Sequence, residues 1–178
     1  MSKGIKNLLR NTFHMRKDMS IGFYVTDFFF RRLFRQNSGV RWAVHHTSTI
    51  HCPEKLVLGK GTWPGDSPGV YINASNGVTI GDYSNIGPNV GIISANHDAI
   101  ENNLQIKTRP IIIGKFCWMG INSTILPEVT LGDFTIVGAG AVVTKSFPDG
   151  YCVIAGNPAV VIKQLNKTEC EAFAASKR

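Results

Sequence analysis

Aliphatic residues recur every six positions through the second half of the chain. From Ile113 the series runs Met119, Ile125, Leu131, Val137 and Val143 without a miss. The next residue is Gly at 114, 120, 132 and 138. The fourth residue after each anchor is small or branched, as in Cys117, Ser123, Val129, Thr135 and Ala141, until Phe147 breaks the rule. An earlier run, Ile80-Gly81, Ile86-Gly87 and Ile92, has the same form. A fainter, slipped version surrounds Val44, Ile50 and Leu58-Gly59. The spacing from Ile80 to Ile113 is not a multiple of six, so something is inserted between the two clear runs.

A strand alternates every two residues and a helix repeats near 3.6, so neither produces six. A six-residue unit with one aliphatic and one small residue inward is one flat side of a coil. Three sides close a triangular turn of about 18 residues, and stacked turns pair as parallel strands. Glycine after each anchor is expected to supply backbone angles that other residues avoid. The pattern therefore predicts an all-β parallel β-helix over residues 41–163. An ordinary sandwich would need period-two alternation and hairpin turns, of which Asn76-Gly77 is a single example.

The remaining segments read differently. Residues 22–35 (GFYVTDFFFRRLFR) suggest a short helix with aromatic residues on several faces and arginines at its end. Residues 1–40 are thus expected to form an N-terminal basic, aromatic helical segment, and residues 164–178 a short C-terminal tail. Charge follows the same division. Residues 1–41 hold Lys3, Lys6, Arg10, Arg16, Lys17, Arg31, Arg32, Arg35 and Arg41 against Asp18 and Asp27. Nine against two equals the whole formal charge of +7, and the rest of the chain is balanced at ten of each sign. A basic groove over the entire fold is absent, which argues against a nucleic-acid partner. The N-terminal helix either packs on the body or a neighbouring subunit, or lies on an anionic membrane surface. The hydrophobic share of 43% excludes disorder, and the four Cys form no CxxC pair, so neither a zinc knuckle nor a redox pair is suggested. No membrane-length apolar stretch and no signal peptide is seen, so a cytoplasmic protein, soluble or peripheral to the membrane, is expected.

The break in the period is polar. It runs from Ser94 through Asn96, His97, Asp98, Glu101 and Asn102 to Thr108, Arg109 and Pro110 before register resumes at Ile111–Ile113. A polar insert in a strict solenoid is where function tends to sit. His97 is its one imidazole, a group suited to taking a proton near neutral pH. Asp98 and Glu101 are candidates to orient its ring, with a backbone carbonyl as the alternative. His14, His45, His46 and His51 read as solvated or structural. The stretch Gly59–Gly69, with Trp63 and Asp66, is either a linking loop or part of an acceptor pocket.

The units VTIGDYSNIGPNV (78–90), IIIGKFCWMGINSTILPEVTLGDFTIVGAGAVVTKSF (111–147) and IAGNPAVVIK (154–163) resemble the hexapeptide-repeat acyltransferases. The likeness is closest to the branch of maltose and galactoside O-acetyltransferases, xenobiotic acetyltransferases and sugar O-acetyltransferases of polysaccharide pathways. It is strong from about 72 to 163, weak from 44 to 71, and does not extend to residues 1–40. The resemblance implies a left-handed coil, acetyl-CoA as co-substrate, no metal, and a homotrimer with a groove at each subunit interface. It implies His97 as general base for a hydroxyl acceptor, in the loop 94–110. It places Asn73 and Trp118 at the substrate, with Trp118 also beside the pantetheine. Gly120, Ile121 (through its backbone N–H), Ala139, Thr144 and Lys145 fall along the coenzyme groove, and Lys163 near the nucleotide phosphates. A sugar or glycan hydroxyl is the favoured acceptor, with serine or a xenobiotic antibiotic as alternatives. A γ-carbonic-anhydrase-like zinc protein would need three histidines at one interface, and none follows His97.

Overall fold

The computed structural model describes residues 15–177, so His14, Lys3, Lys6 and Arg10 lie outside the described residues. The body is a spool of short parallel strands on three faces. The first face stacks Thr49–His51, Tyr71–Asn73, Gly91–Ile93, Thr124–Ile125 and Val142–Val143. The second stacks Leu56–Leu58, Val78–Ile80, Ile111–Ile113 and Thr130–Leu131. The third stacks Asn85–Ile86, Trp118–Met119, Thr135–Val137 and Cys152–Ala155, and ends in the antiparallel strand Val160–Gln164.

Register explains both the strong and the weak repeat. Thr124 pairs with Val142 and Ile112 with Thr130, so each of these coils is three sides of six. Thr49 pairs with Tyr71 and Leu56 with Val78, a longer step, and the sixfold phase slips in that first coil. The anchors Ile80, Ile86, Ile92, Ile113, Met119, Ile125, Leu131, Val137 and Val143 are all buried along the axis, as are Cys117, Ser123, Val129, Thr135 and Ala141. Inward hydroxyls are satisfied by carbonyls at the glycine positions. Ser84 donates to Gly114 O at 2.7 Å, Ser123 to Gly120 O at 2.8 Å and Thr135 to Gly132 O at 2.7 Å.

The glycines after the anchors do not serve the purpose expected of them. Gly114, Gly120, Gly132 and Gly138 all lack a positive φ. They are needed because the next coil passes too close for a side chain. A Cβ on Gly114 would stand 2.6 Å from Asp133 N, and one on Gly120 would stand 2.8 Å from Ala139 N. The left-handed residues come two positions later, at the corners, and are mostly not glycine. They include Tyr83, Phe116 and Phe134 between the second and third faces, and Asn89 and Asn122 between the third and first. The aromatic corner makes a ladder, with ring centroids 5.3 Å apart for Tyr83–Phe116, 4.8 Å for Phe116–Phe134 and 5.6 Å for Phe134–Tyr151.

Among the described residues, two α-helices flank the spool. Helix α1 (Ile21–Leu33) is capped by Ser20, whose Oγ accepts from Phe23 N at 3.0 Å. The all-β reading with a short tail leaves out helix α2 (Lys167–Ala175), which Asn166 caps and whose Phe173 meets Phe116 of the ladder edge-on at 5.9 Å. No helix among the described residues is long and apolar enough to cross a membrane.

Candidate active site

The chain leaves the spool after Ile93 and returns at Ile111. Thr79 pairs with Ile112, nearly twice the separation of the next pair, Ile112 with Thr130. The added length lies at the corner between the first and second faces. Within it Asn96–His97 pairs antiparallel with Gln105–Ile106, setting His97 opposite Gln105. His97 is exposed on this projecting hairpin.

Polar contacts fix the hairpin at both ends. At its base Asn76, on the same corner one coil earlier, ties both strands of the excursion to the spool. Its N–H donates to Ser94 Oγ at 2.9 Å, and its Nδ2 lies within 3.0 Å of Ser94 O, Ile106 O and Thr108 Oγ1. Thr108 Oγ1 in turn donates to Ser94 O at 2.8 Å. At its tip the Asp98 carboxylate accepts from Ile100 N at 2.8 Å and Glu101 N at 2.9 Å. The Glu101 N–H and then the Ile100 N–H hold the Asp98 carboxyl below its ordinary range. Asp98 therefore closes the turn, and among the described residues neither it nor Glu101 hydrogen-bonds the His97 ring. Sequence alone shows Asn76 only as half of an Asn-Gly turn. We expect Asn76→Ala to lower turnover about tenfold by loosening the base of the hairpin, with the loss read as kcat at saturating substrates.

Asn73 stands at the root of the same excursion. It pairs with Ile93, and its carbonyl accepts from Ser94 N at 2.9 Å. Its Oδ1 accepts from Ser75 N at 3.0 Å and Ser75 Oγ at 2.5 Å. The amide oxygen is thus occupied, and the Nδ2 side is left as the group able to meet an acceptor. Thr144 and Lys145 share this corner further along the spool, both exposed, with Lys145 Nζ 5.8 Å from the Phe147 ring centroid.

The other sequence-predicted residues lie elsewhere on the chain. Trp118 is half-exposed on the third face between Asn85 and Ile136, beside a cavity of about 560 Å³ that runs to Leu165 and Phe173. Gly120, Ile121 and Ala139 occupy the corner between the third and first faces. The Gly120 N–H is taken by Val137 O at 2.8 Å, whereas those of Ile121 and Ala139, one coil apart, have no acceptor among the described residues. Lys163 is exposed on the terminal antiparallel strand, opposite Val153. One chain thus holds the imidazole and Asn73 at one edge of the first face, the free backbone donors at the other edge, and Trp118 and Lys163 on the third face. It does not bring them together.

The remaining candidates have structural partners. Trp63 lies under the Arg16 guanidinium at 5.3 Å and Asp66 pairs with Arg16 at 2.7 Å, so this stretch holds the segment preceding α1. His46 stacks on Phe30 of α1 at 4.8 Å and meets the His45 ring at a tilt at 4.4 Å, and His51 packs edge-on against Tyr71. Burial, and secondarily the adjacent His46, lowers the pKa of His45. Burial pushes the Cys117 thiol up to about 11, which leaves it protonated and unreactive at neutral pH. Among the described residues no group of three or more His, Cys, Asp or Glu is arranged to hold a metal ion.

Known proteins resemble this chain in sequence and in fold. The family described as bacterial transferase hexapeptide (six repeats) matches residues 110–145. A putative colanic acid biosynthesis acetyltransferase of Escherichia coli K12 is 37% identical over 141 residues, which are 79% of this chain and 76% of that one. Among solved structures, a maltose O-acetyltransferase from Clostridium difficile 630 aligns with a TM-score of 0.59 and 32% identity, over 67% of this chain and 65% of that one, just under two thirds of it. A galactoside acetyltransferase in complex with coenzyme A aligns with a TM-score of 0.56 and 30% identity, over 69% of this chain and 64% of that one. The parallel sheets and these neighbours fit a left-handed β-helix. With its sixfold anchors buried along one axis and a histidine-bearing excursion at a corner, the chain belongs to the hexapeptide-repeat acyltransferases.

Proposed function

We propose that the protein transfers an acetyl group from acetyl-CoA to a hydroxyl of a sugar or glycan precursor in the cytoplasm, with His97 as general base. The observation that carries the reading is the placement of a lone exposed imidazole on a hairpin pinned at its base by Asn76, Ser94 and Thr108. An alcohol is too weak an acid to attack a thioester unaided. His97 takes the hydroxyl proton as the oxygen bonds to the thioester carbonyl carbon. The resulting oxyanion is met by a backbone donor, for which the unengaged Ile121 N–H is the candidate. The C–S bond then breaks, and the imidazolium returns its proton to the departing thiolate. No covalent intermediate on the protein is required.

The separation of His97 from Ile121, Ala139 and Trp118 supports a homotrimer in which one subunit presents the hairpin corner to the other set on its neighbour. The hairpin itself favours burial against a partner, since Ile100 is 97% exposed and Leu104 54%. Thr144, Lys145 and Lys163 are the cations and polar groups available to the coenzyme, Lys163 for its phosphates. Asn73 Nδ2 is the group assigned to the acceptor. The relatives named for colanic acid and maltose support a sugar over serine or a xenobiotic.

The test is acceptor-dependent release of free thiol from acetyl-CoA with sugars, serine, and amphenicol or streptogramin compounds, alongside the mass in solution. Turnover with a sugar alone and a mass of three chains are expected. Turnover confined to serine or a drug would overturn the acceptor class, and a monomeric active enzyme would overturn the shared groove.

A further inference from the structure

Helix α1 has two unlike sides. One side is tied to the body. The Tyr24 hydroxyl accepts from Arg16 N at 2.8 Å, and Asp27 Oδ1 accepts from Val44 N at 3.1 Å and pairs with Arg31 at 2.8 Å. Arg31 also donates to the carbonyls of Val40, Asn37 and Trp42, and Phe30 stacks on His46. These contacts fix the rotation of the helix about its axis.

The other side is an apolar stripe in the open. Val25, Phe28, Phe29 and Leu33 fall at i, i+3, i+4 and i+8, on one face of a helix. They are 61%, 67%, 52% and 61% exposed, and Phe34, just beyond the last turn, is 62% exposed. No residue of α1 is buried. Arg32, at i+7 from Val25, lies on the same face at the last turn, and Arg35 follows the end of the helix; both are exposed, with no ion-pair partner among the described residues.

We propose that this stripe, with Arg32 on its last turn and Arg35 just beyond it, docks the protein on an anionic lipid bilayer, the phenylalanines entering the interface and the arginines meeting lipid phosphates. Charge selects this occupant. Residues 1–41 carry the entire +7, while the rest of the chain is balanced at ten of each sign. A second copy would bring the same positive segment against itself, and the balanced body offers no acidic surplus to meet it. The sequence preceding the described residues adds Lys3, Lys6 and Arg10 to the same end of the chain. Basic amphipathic helices with aromatic faces have this affinity for anionic interfaces. The inference is independent of the acetyl-transfer reading, since it uses no residue of the candidate active site.

The experiment is co-sedimentation of the full chain with vesicles of phosphatidylcholine alone and of phosphatidylcholine mixed with phosphatidylglycerol. Binding to the mixed vesicles that weakens with added salt is expected. Phe28→Ser combined with Phe29→Ser should weaken it about tenfold or more, and Arg32→Gln with Arg35→Gln should weaken both the binding and its salt dependence, the remaining cations of residues 1–41 keeping part of each. Thermal unfolding and acetyl-CoA-dependent turnover should be unchanged in both variants, because the altered side chains are exposed. Failure of the parent protein to sediment with mixed vesicles would overturn the proposal. So would a phenylalanine variant that binds as tightly, or one whose mass in solution falls, which would assign the stripe to contact between copies.

Discussion

His97→Ala is expected to lower turnover by about two to four orders of magnitude, the range for loss of a general base. That corresponds to roughly 3–5 kcal/mol of transition-state stabilisation. The loss should fall on kcat, with the KM for acetyl-CoA little changed, because in the proposed reaction the imidazole acts on the acceptor proton and not on the coenzyme. The variant separates chemistry from folding. His97 is exposed, and the hairpin is held by Asn76, Ser94, Thr108 and the Asp98 turn, none of which involves the ring. Its unfolding midpoint should therefore stay within the effect of about 0.5 kcal/mol typical of surface substitutions. Steady-state thiol release and a thermal melt on the same preparation read both quantities. Turnover within a few-fold of the parent would remove His97 from the reaction.

Gly114→Ala should cost about 3 kcal/mol or more, beyond the ordinary range for an overpacked methyl, because the clash is with backbone. Its Cβ would stand 2.6 Å from Asp133 N and 2.7 Å from the carbonyl carbon of Gly132, both fixed in the next coil. Gly114 N itself donates to Leu131 O at 2.8 Å, so the coils cannot part without breaking the ladder there. A loss of this size lowers the melting midpoint of a chain of this length by about 6–12 °C, measured at one protein concentration. Asn122→Gly is the companion. Asn122 has a φ of +59°, and glycine relieves that conformation while losing more chain entropy on folding. The two effects oppose, so the midpoint should move by no more than the equivalent of about 1 kcal/mol. A Gly114→Ala midpoint within about 2 °C of the parent would refute the close-approach account of these glycines.

The legible part of the fold is whatever points at the axis. Anchors such as Met119 and Leu131 must fill one column, so their period survives in a single sequence. The hairpin is legible by contrast, as the place where the period stops. What points outward is harder to read. The left-handed corners hold Phe116, Asn122, Glu128 and Phe134, and most of these residue types give no hint of such angles. Helix α2 rests on a ladder whose members, Tyr83, Phe116, Phe134 and Tyr151, meet only after coiling brings distant residues together. Asn76 reaches Ser94 and Thr108 from far along the chain, a relation that no local pattern records. The assignment of His97 and Trp118 to different faces is likewise a property of the wound chain.

The excursion begins and ends at one corner, and Ile111 N returns to Gly77 O at 3.1 Å as though nothing intervened. The coils above and below therefore do not sense how long it is. Such a seam lets the histidine-bearing part be exchanged as a cassette, by grafting the corresponding tongue of another spool between Ser94 and Thr108, with the contacts of those two residues to Asn76 kept in place.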